Sequence, residues 1–212
     1  MNFDSLEDYI LSHIDTEPEL LKQIRRETHV KILHAGMISG HLQGRILKMF
    51  AQMIRPRKVL EIGTFVGYSA LCFAEALEQN GEIHTIEIDD ELEDFIRSNF
   101  SKSEHKDKIK LHIGDAAKII GEFNADTFDL VFIDADKKLY WEYFEMVLSR
   151  VKSGGFIIVD NTLWYGKVIE RVKSNDWATR SILDFNERLV KDDRVEKVIL
   201  PIRDGLTLIR KK

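Results

Sequence analysis

Two segments, FDLVFIDADKKLYWEYF (128–144) and GFIIVDNTLWYG (155–166), have one form: a buried apolar run that ends in oxygen-bearing side chains. Parallel strands deliver their C-terminal residues to one edge, so Asp134, Asp160 and Asn161 can converge there. Two carboxylates and an amide oxygen make a hard site, suited to Mg²⁺, Mn²⁺ or Ca²⁺ and poorly suited to zinc. Asp and Asn are also common turn and cap residues, and that reading stands beside the metal one. Lys137 and Lys138 read most simply as a solvated pair. Yet Lys137 lies three residues past Asp134, where a divalent ion and partial burial would tune it as a base. The seven histidines show no metal-binding spacing.

The second chemical stretch is VLEIGTFVGYS (59–69), an apolar run followed by two glycines four apart. No lysine follows Gly67, so it is not a P-loop, and it does not match G-x-G-x-x-G. Glu61 discriminates among ligands. Two positions before Gly63, at the expected mouth of the site, its charge would repel a pyrophosphate and attract a cationic head. S-adenosylmethionine, with a sulfonium and an ammonium and no phosphate, fits. Glu87, 24 residues beyond Gly63, ends EIHTIEI and is placed to accept hydrogen bonds from ribose hydroxyls. Alternatively, Glu87 and Asp89 merely supply acids to the start of the next helix.

These residues need a frame, and the pattern supplies one. Short apolar runs at 58–62, 82–88, 109–113, 128–134 and 155–160 alternate with helical segments at 69–79, 90–102, 116–122 and 138–152. Such alternation predicts an α/β, doubly wound, Rossmann-like parallel sheet covered on both faces. Asn80-Gly81 and Gly154-Gly155 are expected helix C-caps. After a helix at 176–191, VEKVILPI and LTLIRKK are joined by Asp204-Gly205, a hairpin signal that predicts an antiparallel last strand and seven strands in all. Ligands bind outside the carboxyl ends of such strands. That directs attention to Glu61–Gly63, Glu87, Gly114–Ala116, Asp134–Lys137 and Asp160-Asn161.

The first 54 residues read as helices: 4–14; 17–32, with Thr16 as N-cap and Pro18 in the first turn; and 41–54, ending before Pro56. In the third, Leu42, Ile46, Met49, Phe50 and Met53 form an apolar stripe expected to face the core. The 212 residues read as one domain, 44% hydrophobic and 32% charged, with a net charge of −5 that argues against a nucleic-acid binder. The N-terminus carries acids where a signal peptide carries bases, and no stretch approaches membrane-spanning length. The lone Cys72 sits in ALCFAEAL and reads as a small buried hydrophobe. A cytoplasmic protein is expected.

Met37-Ile38-Ser39, LEIGTFVGYSA, TIEID, VFIDADK, VDNTLW and the closing DGLTLIRKK, in this order, resemble the cation-dependent O-methyltransferases that include catechol and caffeoyl-CoA O-methyltransferases. The resemblance covers most of the chain. It implies a class I methyltransferase domain over 1–212, with an N-terminal helical segment (1–54) and an S-adenosylmethionine-binding core (55–212). It implies donor contacts at Ser39, Glu61, Gly63, Thr64, Ser69, Glu87 and Ala116, with Glu61 on the methionyl ammonium and Glu87 on the ribose. It further implies a divalent cation, Mg²⁺ first, on Asp134, Asp160 and Asn161, with Lys137 as general base. The acceptor would be a small vicinal dihydroxy aromatic, and the assembly a homodimer without nucleic-acid or membrane partners. Ala135 follows Asp134 as in bacterial and plant members, whereas animal catechol enzymes are bulkier there. Trp164 and Tyr165 are candidates to wall the acceptor ring, or else to pack under a loop or at a dimer interface. Two other functions are weighed against this one. A nucleotide-cofactor oxidoreductase is opposed by Glu61, and a non-catalytic binding module by the presence of all three metal candidates and the lysine.

Overall fold

The computed structural model describes residues 5–173 and 175–212. Seven strands form one sheet: β1 (Lys58–Ile62), β2 (Glu82–Glu87), β3 (Ile109–Ile113), β4 (Phe128–Ile133), β5 (Val151–Val159), β6 (Val195–Leu200) and β7 (Leu206–Lys211). Their order is β3-β2-β1-β4-β5-β7-β6. β1 to β5 run parallel, and β7 is antiparallel to both β5 and β6. The Asp204-Gly205 hairpin therefore stands as expected, with Leu200 opposite Leu206.

Alternation along each strand sends side chains to two faces. Val59, Leu130, Phe132 and Ile158 join one core with α2 (Glu19–Lys31), α3 (Gly40–Ile54), α4 (Tyr68–Ala76) and α5 (Glu93–Ser101). Leu60, Ile62, Val131, Ile133, Ile157 and Val159 join the other, under α6 (Ala116–Glu122), α7 (Tyr140–Leu148) and α8 (Trp177–Val190). Burial on both faces explains why these strands read as continuous apolar runs. In register, Ile62 pairs with Ile133 and Ile133 with Val159, so β1, β4 and β5 finish flush at one edge.

Several local expectations are corrected. The first helix, α1, is Leu6–Leu11 with Ser5 as its cap, and Asp4, the expected start, lies outside the described residues. Thr16 caps nothing: α2 begins after Pro18, whose fixed φ suits a helix entry. The stripe on α3 faces the core only along one side. Ile46 and Phe50 pack against it, partly buried, and Gln43, Gly44, Leu47 and Ala51 are the buried residues of the helix, while Met49 and Met53 are 56% and 73% exposed. The reason is close approach, since a side chain at Gly44 would strike Cys72 and Tyr68 of α4. Small residues, more than the apolar count, choose the buried face.

Nor do the glycine pairs cap helices. α4 ends at Leu77 in extended conformation, and Gly81 sits beyond it in a turn. α7 ends at Ser149, earlier than expected, because β5 already begins at Val151. Gly154 (φ +79°) and Gly155 lie within β5, where its pairing with β4 shifts register. Cys72 is buried, and burial pushes its thiol up to about 12, as befits a packing residue. No helix among the described residues is long and apolar enough to cross a membrane.

Candidate active site

The flush edge of β1, β4 and β5 carries the site. β1 leads straight into Gly63, whose N–H, with that of Thr64, donates to the Ile86 carbonyl at 3.0 and 3.2 Å. At Gly63, φ is +98°, and a Cβ would collide with the Asp134 backbone. Glycine is thus required where the loop lies against the end of β4. Gly67 (φ +84°) opens α4, and the buried Asn99 amide donates to the Val66 carbonyl at 3.0 Å, which holds the loop from the far side.

Glu61 is fully buried, not at an open mouth as the sequence implies. Its Oε2 accepts the Thr85 hydroxyl at 2.5 Å, and Thr85 also bonds Thr64 at 2.6 Å. Oε1 has no partner among the described residues. Burial pushes this carboxyl up to about 8; Ser69 and Thr85 oppose the shift, and the charges of Asp134 and Glu87 add to it. A buried acid with one unsatisfied oxygen is a group that a cationic ligand would complete. Glu87, at the end of β2, accepts the Phe65 N–H on Oε2 at 2.6 Å and the Ile88 and Asp89 N–H groups on Oε1 at 2.9 and 3.0 Å. It is thereby locked against the glycine loop. Ser69 is buried in the first turn of α4, and Ala116 is buried at the start of α6, just past Gly114, whose N–H bonds the Glu87 carbonyl at 2.7 Å.

On the β4–β5 side, the Asp134 carboxylate takes the Lys137 ammonium at 2.7 Å, with both side chains largely buried. Asp160 is buried, and its backbone N–H reaches the Ile133 carbonyl at 3.0 Å, which places it beside Asp134. Burial and the Asp134 charge push its pKa up, opposed by hydrogen bonds from Gln43 and the Asn161 N–H. Asn161 adopts φ +56° and donates its amide to Asp204 at 3.2 Å. Because a carboxylate can only accept, the amide nitrogen must face Asp204, and the oxygen is the end left for a cation. Among the described residues no three or more of His, Cys, Asp and Glu gather as a metal cluster. The candidate set, two acids and one amide, is of a different kind. Its all-oxygen donors and mutually repelling carboxylates fit a hard divalent ion.

Ser39, just before α3, is joined to this group: its carbonyl accepts from Arg203, which also donates to Gln43 Oε1 at 2.9 Å, and Gln43 Nε2 donates to Asp160 at 2.6 Å. Beside Asp204 opens a cavity of about 440 Å³ lined by Tyr165, Ile169, Arg203 and Asp204 among others. Tyr165 thus lines this cavity. Trp164 does not, and its buried indole N–H lacks a partner among the described residues. Sequence reasoning missed Gln43, Thr85, Asn99, Arg203 and Asp204, which act by holding others. Of these only Asp204 carries a sequence signal, as a turn residue.

A seven-stranded sheet with a single antiparallel strand, a glycine loop after β1 and acids at the strand tips defines a methyltransferase. An O-methyltransferase family model matches residues 11–212, and the chain belongs to that family. Caffeoyl-CoA O-methyltransferase 1 of Zea mays is 36% identical over 223 residues, covering 98% of this chain and 85% of the relative. Among solved structures, the O-methyltransferase from Bacillus cereus in complex with S-adenosylhomocysteine (SAH) is 29% identical with a TM-score of 0.88, covering 96% of each chain. TomG from Streptomyces achromogenes, an O-methyltransferase involved in tomaymycin synthesis and solved with S-adenosylmethionine (SAM), is 27% identical with a TM-score of 0.88, covering 96% of this chain and 94% of its own.

Proposed function

We propose that the protein transfers the methyl group of S-adenosylmethionine to one hydroxyl of a small vicinal dihydroxy aromatic, of the catechol or caffeoyl type. A divalent cation, Mg²⁺ first and Mn²⁺ or Ca²⁺ otherwise, would be held by Asp134, Asp160 and Asn161. The observation that carries this reading is the gathering of Glu61, Glu87, Asp134 and Asp160, all buried or half-buried, on one sheet edge beside Lys137. So many acids in one place call for cationic partners. The SAM and SAH held by the related structures and the acceptor named for the maize relative support the same reading.

The donor supplies a methyl group activated by positive sulfur, and the bound cation supplies positive charge beside the acceptor oxygens. Ser39, Gly63, Thr64, Ser69 and Ala116 shape the donor cleft, in which Glu61 receives the ammonium and Glu87, immobilised by three backbone N–H groups, receives the ribose. Lys137 accepts the acceptor's hydroxyl proton. Acceptance needs a neutral amine, so its ion pair with Asp134 must be given up before the proton moves. A homodimer is the assembly that the sequence resemblance implies.

The test is a methyl-transfer screen over mono- and vicinal dihydroxy aromatics, with Mg²⁺ or with excess chelator. Transfer is expected to the diols only, to stop in chelator, and to be absent in Asp160→Ala while donor binding survives. Equal rates with chelator would remove the cation, and equal rates on monophenols would remove the diol.

A further inference from the structure

We propose that Gln43 is a positioning residue that fixes the Asp160 carboxylate for cation binding, with Arg203 setting its polarity. The inference rests on the metal reading above and extends it to residues outside the ligand set.

Gln43 is 2% exposed on the core-facing side of α3, one turn before the buried Leu47. A polar amide there breaks the apolar pattern, and such local conflicts mark sites kept for function. Both ends of the amide are used. Nε2 donates to Asp160 Oδ2 at 2.6 Å, and Oε1 accepts from Arg203 Nη1 at 2.9 Å. A guanidinium can only donate, so Arg203 forces the amide oxygen toward itself and the NH₂ toward Asp160. Without Arg203 only the Asp160 carboxylate itself would hold the amide in this sense, and the amide oxygen would lose its partner.

Arg203 is itself held for this task. It sits in the β6–β7 turn at φ +49°, a left-handed conformation costly for a residue with a Cβ, and its guanidinium also donates to the Ser39 carbonyl. The other oxygen of Asp160 accepts the Asn161 N–H at 2.7 Å. Both carboxylate oxygens are thus oriented, one by the local chain and one by a residue 117 positions away. Hydrogen bonds of this kind, from outside the ligand set, aim metal ligands and strengthen their grip. The same chain of contacts ties Ser39, one of the expected donor contacts, to Arg203, which lines the cavity beside Asp204.

The experiment measures Mn²⁺ binding calorimetrically on protein saturated with S-adenosylhomocysteine, for wild type, Gln43→Met and Arg203→Met. Methionine keeps the length and volume of glutamine without a donor, so a space-filling role predicts no change. A positioning role predicts Mn²⁺ affinity about 10- to 100-fold weaker in Gln43→Met, with S-adenosylhomocysteine affinity within about twofold of wild type. Arg203→Met, in a surface turn, should lose several-fold and carries the test if Gln43→Met does not fold. Wild-type Mn²⁺ affinity in the variants would overturn the inference and leave the metal reading intact. A wild-type protein that binds no Mn²⁺ would remove the metal reading, and the role of Gln43 with it.

Discussion

Glu61 offers the sharpest test of the proposed donor site, because its burial would make ligand binding there a proton-releasing step. Its carboxyl is pushed up to about 8 in the free protein. At about pH 6.5 it is then ionised in only about 3% of molecules, whereas the α-ammonium of the ligand is almost fully charged. Pairing the two requires Glu61 to lose its proton. Binding S-adenosylhomocysteine should therefore release about 0.9 proton at that pH, and affinity should rise nearly tenfold per pH unit before levelling near pH 8. Above that, the ligand amine is itself neutral and must take up a proton, so affinity turns down again.

With its pKa near 8, Glu61 costs about 1.4 kcal/mol to ionise at pH 7. Truncating a buried charge partner costs about 2–5 kcal/mol. Glu61→Gln should thus weaken donor binding at pH 7 by the difference, about 0.6–3.6 kcal/mol, and flatten the pH dependence. The assay is calorimetry in buffers of different ionisation enthalpy. A raised folded pKa also means that this carboxyl stabilises the free protein at low pH and ceases to do so as pH rises through 8. A heat of binding independent of buffer near pH 6.5, or a Glu61→Gln variant with the same proton release, would refute the reasoning.

Two further outcomes follow from the geometry. Lys137→Met should lower kcat by about 10²–10⁴ while leaving donor affinity within about twofold, as single-turnover rates and a binding titration would read; an undiminished rate would remove Lys137 as the base. Gly63→Ala forces a Cβ into the Asp134 backbone at φ +98° and should destabilise the fold by at least about 1–3 kcal/mol in urea denaturation, with loss of donor affinity; wild-type stability would show that the loop can move away.

The residues legible in the sequence are those whose position follows from strand direction. Glu87, Asp134 and Asp160 each end an apolar run or immediately follow it, Glu61 stands one residue before the end of its own, and parallel strands must bring such ends to one edge. Gln43 and Arg203 leave no such trace, since their bonds to Asp160 and Ser39 span more than a hundred residues and depend on how α3 and the last hairpin fold across the sheet. Thr85 is hidden differently: it looks like any β-former in EIHTIEI, and only the packing of β2 beside β1 turns its hydroxyl to Glu61. The stripe on α3 misleads at its methionines because periodicity locates an apolar face without saying what each part of it meets. The close contact with α4 needs Gly44, which turns that side of the helix inward and leaves Met49 and Met53 exposed. Gly154-Gly155 is ambiguous for a related reason, as a glycine pair suits a cap or a bulge equally, and only the register of β5 against β4 decides.

The placement of charge sets what such a site can select. Glu61 and Asp160 both lie deep enough that burial works against their ionised forms, and in each case a neighbouring acid adds to the effect. Lys137 sits against Asp134 at 2.7 Å, while Glu61 keeps an oxygen unpartnered among the described residues. An anionic cofactor entering here would push these buried acids still further toward their neutral forms, with little solvent to screen it. A sulfonium with its ammonium, or a hard divalent ion, instead lowers the energy of each carboxylate it approaches. Two separate cations can be drawn because the acids fall into two groups: Glu61 and Glu87 around the glycine loop, Asp134 and Asp160 beyond β4. The fold holds these groups on adjacent strand ends, the spacing that a methyl donor and a metal-bound acceptor would need to meet.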